Sequence, residues 1–212
     1  MKAAPKGLRS DLAVIAAMIP EGVRLLDVGC GEGELLEWLA ANKNVDGRGI
    51  ELSQQNVNAC VARGLSVVQG DADTDLSEYP SQVFDIVILS QTIQATRSPR
   101  MVLAHLLRIG KRTIVSFPNF GHWRVRLSLL LNGRMPKTAT LGYAWYDTPN
   151  IHLCTIADLA ALVRETGGTI EQAIALGGEG RTNAMRPGAR APNLFAEGAI
   201  FMLAGSARPR RG

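Results

Sequence analysis

Short apolar runs rich in β-branched residues alternate with amphipathic segments along most of the chain. This alternation is typical of an α/β fold with a parallel sheet. Two of the runs, Val23–Val28 and Ile86–Leu89, are apolar at nearly every position, which indicates central strands covered by helices on both faces. The strands predicted in this way are Val23–Val28, Gly49–Glu51, Leu65–Gln69, Phe84–Leu89, Arg112–Phe117, Thr169–Ala175 and Leu194–Leu203.

Capping residues mark the ends of two helices between these strands. Ser53 can cap a helix that runs to Arg63 and stops at Gly64. Thr155 is followed three positions later by Asp158, a pair that resembles a capping box. We therefore expect a second helix to begin there and to end before the glycines at 167 and 168.

Two segments interrupt the alternation. Residues 118–154 separate the fifth strand from the next helix by far more than the usual short connection, so they are predicted to be an insertion. The Gly- and Arg-rich stretch Gly177–Asn193 is predicted to be a mobile hairpin loop. The insertion carries a large share of the aromatic residues: Phe120, Trp123, Tyr143, Trp145 and Tyr146.

The size and charge of the chain limit its class. With 212 residues, 46% of them hydrophobic, the chain can build one core but not two ordinary domains. We expect a single domain over residues 1–204 and a disordered basic tail at 205–212. The 23 basic and 19 acidic residues are scattered along the chain, which argues against nucleic-acid binding.

Cysteine and histidine usage indicates a cytoplasmic protein without a metal site. Cys30, Cys60 and Cys154 are odd in number and lack a CxxC spacing, so reduced thiols are expected. The three histidines show no HxxxH spacing. No segment reaches the roughly 20 apolar residues of a membrane-spanning helix, and none resembles an export signal.

A glycine-rich loop joins the first predicted strand to a helix. Its sequence, GCGEG at residues 29–33, presents backbone N–H groups at a strand–loop–helix junction, a common site for nucleotide-like cofactors. In a dinucleotide-binding loop of the GxGxxG type the third glycine would fall at position 34, which is Glu34. The spacing therefore argues against NAD.

Acidic residues end the first three predicted strands. Asp27, at the mouth of the loop, would repel a pyrophosphate but attract the ammonium and sulfonium charges of S-adenosylmethionine. Glu51 lies where an acid accepts hydrogen bonds from ribose hydroxyls, and Asp71 lies where an adenine amino group could be recognised. The predicted cofactor-binding residues are Asp27, Gly29, Cys30, Gly31, Glu51, Leu52, Asp71, Ala72, Ser90 and Gln91.

A purely structural interpretation of these residues is the alternative. Asp27 could cap a turn, Glu51 could be a solvated acid, and the glycines could form a tight turn without a ligand. Acids at three successive strand ends, in the right order, favour the cofactor. Cys30 is expected to be a small buried residue rather than a reactive thiol of lowered pKa.

Several sequence segments resemble known families. LLDVGCGEGEL, GRGIELS, QGDAD and FDIVILSQTIQA resemble class I S-adenosylmethionine-dependent methyltransferases. PNFGHWRVRLSLLLNGRMP and WYDTPNIHLCT resemble the MetW family of methionine biosynthesis proteins, and that likeness covers almost all of residues 8–203. The resemblance implies a Rossmann-like class I methyltransferase fold, with a sheet of seven strands, six parallel and one antiparallel, and helices on both faces.

The resemblance also implies a cofactor and a partner. The cofactor would be S-adenosylmethionine or S-adenosylhomocysteine, bound at the carboxyl ends of the first strands. MetW-like proteins are associated with homoserine O-acyltransferase, so an accessory or regulatory subunit of that enzyme is implied. The alternative is a methyltransferase that acts on an unidentified small molecule, because fold alone does not decide function.

The catalytic residues of such an enzyme are not specified by the sequence. Candidate bases lie in or beside the insertion, with His122, Tyr146 and His152 foremost and Tyr143 and Asp147 beside them. Their spacing indicates no particular reaction. The sequence after the fourth strand, SQTI, lacks the Asn-Pro-Pro-aromatic string of enzymes that methylate amino groups of nucleic acids.

The insertion itself has two main interpretations. It could be a lid over a small substrate, or a surface that docks a protein through Trp123, Arg124 and Arg126 and the leucines at 127–131. A third, structural interpretation is a helix that packs its leucines on the core and leaves its arginines in water. A membrane-surface helix is disfavoured by the short length and the presence of only two arginines.

Overall fold

The computed structural model describes residues 8–137 and 142–205. In these ranges the helices are α1 (Ser10–Met18), α2 (Glu34–Lys43), α3 (Gln54–Ala62), α4 (Pro99–Ile109), α5 (Trp123–Asn132), α6 (Ile156–Glu165) and α7 (Arg190–Phe195). The strands are β1 (Arg24–Val28), β2 (Asp46–Glu51), β3 (Ser66–Gln69), β4 (Phe84–Ser90), β5 (Gly110–Pro118), β6 (Gly168–Leu176), β7 (Thr182–Ala184) and β8 (Gly198–Gly205). The predicted disordered tail lies outside the described residues, apart from Gly205, which ends β8.

These strands form one sheet in the order β3-β2-β1-β4-β5-β8-β6-β7. Strands β1 to β5 pair in parallel, and β8 runs antiparallel to both β5 and β6. Six strands therefore share one direction, as the predicted fold requires. The α/β fold with a mostly parallel sheet is confirmed.

Helices cover both faces of the sheet, and the side chains of the central strands pack against them on each face. Along β4, Ile86 and Ile88 pack among α1, α2 and α3, whereas Val87 and Leu89 pack among α4 and α6 on the opposite face. Successive residues of a strand point to opposite faces, so a strand buried on both must be apolar at every position. The prediction of central strands from continuous apolar runs is thus confirmed.

Two strands begin at least two residues earlier than predicted. β2 starts at Asp46 rather than Gly49, and β5 starts at Gly110 rather than Arg112. The first half of β2 is largely exposed but keeps its ladder pairing with β1, in which Asp46 lies opposite Arg24. Hydrophobic patterning misses such ends because hydrogen-bonded pairing, not burial, makes them strand.

The region after β6 differs most from the prediction. The expected mobile loop Gly177–Asn193 contains β7, which adds an eighth strand at the edge of the sheet, and most of α7. The last strand begins at Gly198 instead of Leu194, because residues 194 and 195 belong to α7. Tertiary contacts account for this: the amide of Asn119 donates to the carbonyls of Asn193 and Ala196. The local sequence pattern does not indicate these long-range hydrogen bonds.

Both predicted helix starts are confirmed. The Thr155 hydroxyl accepts the N–H of Asp158, and the Asp158 carboxylate accepts the N–H of Thr155 at 2.9 Å, completing the capping box. The Ser53 side chain accepts the N–H of Asn56. Among residues 8–137 and 142–205, no helix is long and apolar enough to cross a membrane.

Candidate functional site

The site lies where the direction of strand succession reverses, between β1 and β4. Connections from the two strands leave in opposite directions there, which opens a crevice at their carboxyl ends. The glycine loop enters this crevice from β1. A Cβ on Gly29 would stand 2.8 Å from the Thr92 hydroxyl of the loop after β4, so glycine lets the two loops meet. Gly31 has a φ of +58° and open space where a Cβ would point.

Two buried carboxylates lie beneath this loop. The side chain of Glu51 accepts the N–H of Gly31 at 2.9 Å with one oxygen and the N–H of Ser53 at 3.0 Å with the other. Asp27 is only 3% exposed, and its Oδ1 has no hydrogen-bond partner among the described residues. Burial and, to a smaller extent, the charge of Glu51 together raise the pKa of Asp27 to about 7, against an opposing effect of Arg9. A buried acceptor without a donor is costly unless a ligand supplies one.

We expect Asp27 to determine part of the pH dependence of folding. The unfolded chain releases this proton near an ordinary pKa of 3.8, whereas the folded protein holds it to about 7. Between these values the folded state binds more protons, so the free energy of unfolding falls as pH rises, by about 1.4 kcal/mol per pH unit at most. The Asp27→Asn variant should lack this contribution to the pH dependence of the free energy of unfolding. Urea unfolding of both proteins without ligand, between about pH 4.5 and 7.5, measures it.

Asp46→Asn is the matched control for that experiment. Asp46 is exposed and pairs with Arg24 at 3.6 Å, so this variant should keep the slope of the unmodified protein. Equal slopes for the Asp27→Asn variant and the unmodified protein would contradict the raised pKa.

The predicted residues after β3 lie at the same edge of the sheet but have local partners. Asp71 accepts the N–H of Asp73 at 2.9 Å. Asp73 in turn accepts the N–H groups of Arg97 and Ser98, both at 2.8 Å, at the start of α4. Asp71 and its neighbour Ala72 remain only partly buried, and Leu52 beside Glu51 is 65% exposed. This side of the crevice is therefore open.

Ser90 and Gln91 border the other side of the crevice. The Ser90 hydroxyl lies 2.9 Å from the hydroxyl of Ser116 on β5. Gln91 adopts a φ of +55°, and its N–H donates to the Ser116 carbonyl at 2.9 Å. The loop after β4 is thus fixed to β5 and turned toward the crevice.

Sequence analysis missed two residues at this side, Arg9 and Asp11. Asp11 is 4% exposed although it lies in the first turn of α1. It accepts two hydrogen bonds from the Arg9 guanidinium, at 2.7 and 3.1 Å, and lies 3.4 Å from both the Ser90 hydroxyl and the Gln91 amide. The signal that could have found it is an acid next to the apolar run Leu12–Ala16.

The thiols near the loop are packing residues. A Cβ on Gly49 would stand 2.7 Å from the Cys30 sulfur, so this thiol fills the space that glycine leaves. Burial raises the pKa of Cys30, which disfavours the reactive thiolate. The Cys60 thiol donates to the Gly31 carbonyl at 3.3 Å. Cys30 is half-buried rather than fully buried as expected, and its raised pKa agrees with the expected packing role.

The three foremost candidate bases are not brought together. His122 is 8% exposed and caps α5, since its Nδ1 accepts the N–H of Arg124; burial lowers the pKa of His122. Tyr146 is 77% exposed and borders a cavity of about 760 Å³, which also reaches Asp11 and Gln91. His152 borders a separate cavity of about 380 Å³. Of the three, only Tyr146 borders the cavity that adjoins the crevice.

Helix α5 of the insertion exposes its leucines. Leu130 is 80% exposed, Leu131 71% and Leu127 42%, whereas Val125 is the buried residue of this helix. Arg126 is engaged within the chain, because its Nε donates to the Gly121 carbonyl at 2.6 Å. The interpretation of a helix with leucines on the core is therefore wrong. The exposed side chains form what we call the α5 leucine face, made of Leu127, Leu130 and Leu131.

The strand order and the acidic glycine crevice define an α/β protein of the class I methyltransferase fold, and solved structures agree. A SAM-dependent methyltransferase of Thermotoga maritima has a TM-score of 0.67 at 17% identity, over 92% of this chain and 87% of that one. The [4+2]-cyclase SpnF has a TM-score of 0.65 at 18% identity, over 96% and 84%. At such identities the likeness shows the fold alone, and the predicted fold class is confirmed.

The particular family follows from the sequence. The chain belongs to the family described as methionine biosynthesis protein MetW, whose model matches residues 9–203. A bifunctional methionine biosynthesis protein MetXA/MetW of Rhodopirellula baltica is 33% identical over 176 residues, which are 79% of this chain. These 176 residues are only 28% of the relative's length, so this chain matches a minor part of that protein. The resemblance to MetW stated from the sequence is confirmed.

Proposed function

We propose that this protein binds S-adenosylmethionine or S-adenosylhomocysteine in the crevice between β1 and β4, and that it serves as an accessory subunit of homoserine O-acyltransferase. The observation that supports the binding of this cofactor is the buried Asp27 Oδ1 under the glycine loop, which has no hydrogen-bond partner among the described residues. The methionine biosynthesis family and its fused relative support the second half.

The residues of the crevice fit this cofactor. When bound, S-adenosylmethionine supplies a methyl group on a cationic sulfur. Glu51 provides negative charge close to the glycine loop, and a cationic ligand would favour the ionised form of Asp27, so the crevice suits a cationic ligand better than a pyrophosphate. Each oxygen of the Glu51 carboxylate already accepts one backbone N–H, from Gly31 and from Ser53, and each has a further lone pair that could accept a ribose hydroxyl. The open space at Gly31 leaves room for the ligand against the backbone.

The α5 leucine face is the part of the chain best suited to a protein partner. Three leucines of one helix exposed to this extent form an apolar surface of the kind that marks interaction sites. The relative in Rhodopirellula baltica is named as a bifunctional MetXA/MetW protein, which pairs the two units on one chain. A covalent fusion keeps two units at high local concentration, which suits units that also associate when separate.

Regulation of the acyltransferase by cofactor binding would connect the two parts of the proposal. S-adenosylmethionine is made from methionine, so its level reports the output of the pathway that acyl transfer to homoserine begins. Binding can alter the acyltransferase only if the cofactor favours one state of the complex over another. The insertion at 118–154 is the proposed lid, because Tyr143 and Tyr146 border the cavity that reaches Asp11 and Gln91.

The second candidate function is methyl transfer to a small molecule. The cavity of about 760 Å³ favours it, since its volume is typical of a small-molecule site beside a cofactor. The three foremost candidate bases are not organised there, however: Tyr146 is largely exposed, and neither His122 nor His152 lines this cavity. We therefore expect weak or no methyl transfer to free small molecules in a screen with labelled cofactor.

One set of measurements tests the proposal. Calorimetry with the purified protein should give dissociation constants in the roughly micromolar range typical of small cofactors. Co-purification with homoserine O-acyltransferase, and acyl-transfer assays with and without this chain, should show a complex and a gain of activity. Failure of both nucleosides to bind would remove the first half of the proposal. An acyltransferase that neither binds nor responds would remove the second and leave the methyltransferase alternative.

A further inference from the structure

The smaller cavity, of about 380 Å³, lies between the loop after β4 and helix α6. Its volume is within the range of small-molecule sites in proteins. Apolar side chains make up much of its described lining, among them Ile93, Leu159 and Leu162. It shares none of its described lining residues with the larger cavity of about 760 Å³, which adjoins the glycine crevice. The smaller cavity is therefore a separate feature of the fold.

Residues 151–154 separate the two cavities. Ile151 and Leu153 line the larger one, whereas His152 and Cys154 line the smaller one. The N–H groups of Ile151 and His152 both donate to the backbone carbonyl of Gln94 at 2.9 Å, which ties this segment to the loop after β4. The smaller cavity thus has a wall that backbone hydrogen bonds hold in place.

Gln94 brings a buried acceptor to the smaller cavity, which it lines at only 2% exposure. Its amide nitrogen lies 3.1 Å from the carbonyl oxygen of Pro118 and 3.4 Å from that of Cys154. Carbonyl oxygens only accept hydrogen bonds, so these contacts determine which end of the amide is the nitrogen. The other end, Oε1, is buried and has no hydrogen-bond partner among the described residues. A ligand that donates to Oε1 would remove the cost of this unpaired acceptor.

The charged residues of the cavity favour a donor that is a cation. Asp158 and Glu165, both on α6, line the cavity, and its described lining contains neither lysine nor arginine. Arg100 pairs with Glu165 at 3.1 Å, but both side chains of that pair are largely exposed, so the pairing neutralises Glu165 only weakly. An ammonium group carries three N–H donors and a charge opposite to that of the two carboxylates.

We propose that the smaller cavity binds a small primary amine with an apolar body. Its ammonium group donates to Oε1 of Gln94, and its apolar body packs against Ile93, Leu159 and Leu162. The inference does not depend on the proposed cofactor, because the residues that carry it lie outside the glycine crevice. It gives the chain a second ligand, bound beside a segment that also lines the larger cavity.

Three probes with the same apolar body test this site: benzylamine, benzyl alcohol and benzyl methyl ether, which has no donor. Each is titrated into the full chain with labelled Ile and Leu methyl groups, and NMR follows the signals of Ile93, Leu159 and Leu162. We expect benzylamine to bind with a dissociation constant of roughly 1 mM or lower. Benzyl alcohol should bind about threefold more weakly, because it lacks the charge. The ether should bind about fivefold more weakly than the alcohol, because it leaves Oε1 unpaired.

Two variants locate the binding and leave Gln94 intact. Ala161 lines the cavity from α6, so Ala161→Phe should fill it and weaken all three probes about tenfold or more. The matched control is Ala62→Phe, at an exposed position of α3, which should bind the probes as the unmodified protein does. Glu165→Gln should weaken benzylamine about twofold and leave benzyl alcohol unchanged, because only the amine is charged.

The comparison of probes on the unmodified protein decides the inference even if a variant fails to fold. Equal affinities of the alcohol and its ether would mean that no ligand donor reaches Oε1, and would overturn it. Binding of the alcohol as tight as that of the amine would overturn the assignment to amines. Titrations without shifts at Ile93, Leu159 and Leu162, or with the same shifts in a folded Ala161→Phe variant, would show that the cavity is not the site.

Discussion

Replacing Glu51 by alanine should weaken the binding of S-adenosylhomocysteine by at least about 100-fold. In the proposed complex both ribose hydroxyls donate to this carboxylate, and hydrogen bonds to a charged group contribute about 1.5–3 kcal/mol each. Two such bonds correspond to roughly 100- to 10,000-fold in affinity. Calorimetry with purified protein measures this change.

The controls for this experiment address the structural role of Glu51. Its carboxylate also accepts the N–H groups of Gly31 and Ser53, so Glu51→Ala could loosen the loop itself. Glu51→Gln keeps the shape and one acceptor, and should bind with intermediate affinity if the loop stays folded. Glu165→Ala, at an exposed ion pair with Arg100, should change nothing. Affinity in Glu51→Ala equal to that of the unmodified protein would show that the ribose assignment is wrong.

Replacing Leu130 by glutamate should abolish co-purification with homoserine O-acyltransferase. Leu130 is 80% exposed and lies in the α5 leucine face, so in the proposed interface its side chain becomes desolvated. A charge buried there without a partner costs several kcal/mol, which is comparable with the effect of a binding hot spot, at about 2–4 kcal/mol. The association constant should fall by at least about 30-fold, and stimulation of acyl transfer should fall with it.

Val61→Glu is the matched control for the leucine face. Val61 is 57% exposed on α3, which packs near β2 and β3, whereas the insertion follows β5. This variant should keep the complex. Both variants should bind S-adenosylhomocysteine normally, because neither residue borders the crevice. A complex that survives Leu130→Glu would place the interface elsewhere, even if the accessory function is correct.

Much of the candidate site could be predicted because its signals are local. The strand, the glycine loop and the following helix are contiguous, and the acids lie at or just after the ends of their strands, so the order of residues predicts the geometry. The capping box at Thr155 was predictable for the same reason, since its partners are three positions apart. The prediction that these residues bind a cofactor remains to be tested by the ligand experiments above.

The features that were missed depend on long-range contacts. Asp11 meets Ser90 and Gln91 across about 80 positions of sequence, and only the folded sheet brings α1 to that place. Helix α7 is held by Asn119, from a different part of the chain. Where α7 lies, the local sequence pattern had indicated a mobile loop and the start of a strand, but tertiary hydrogen bonds stabilise a helix there instead.

By itself, the sequence determined the class of fold, the continuous apolar strands at its centre, the acidic glycine loop and the family. These features depend on periodicity and contiguous motifs, which folding preserves. The tertiary structure alone decided that α5 exposes Leu127, Leu130 and Leu131, that β7 widens the sheet, and that Arg9 and Asp11 lie beside the end of β4. Each of these depends on which residues far apart in sequence become neighbours, and side-chain burial and charge environment exist only once those neighbours are in place.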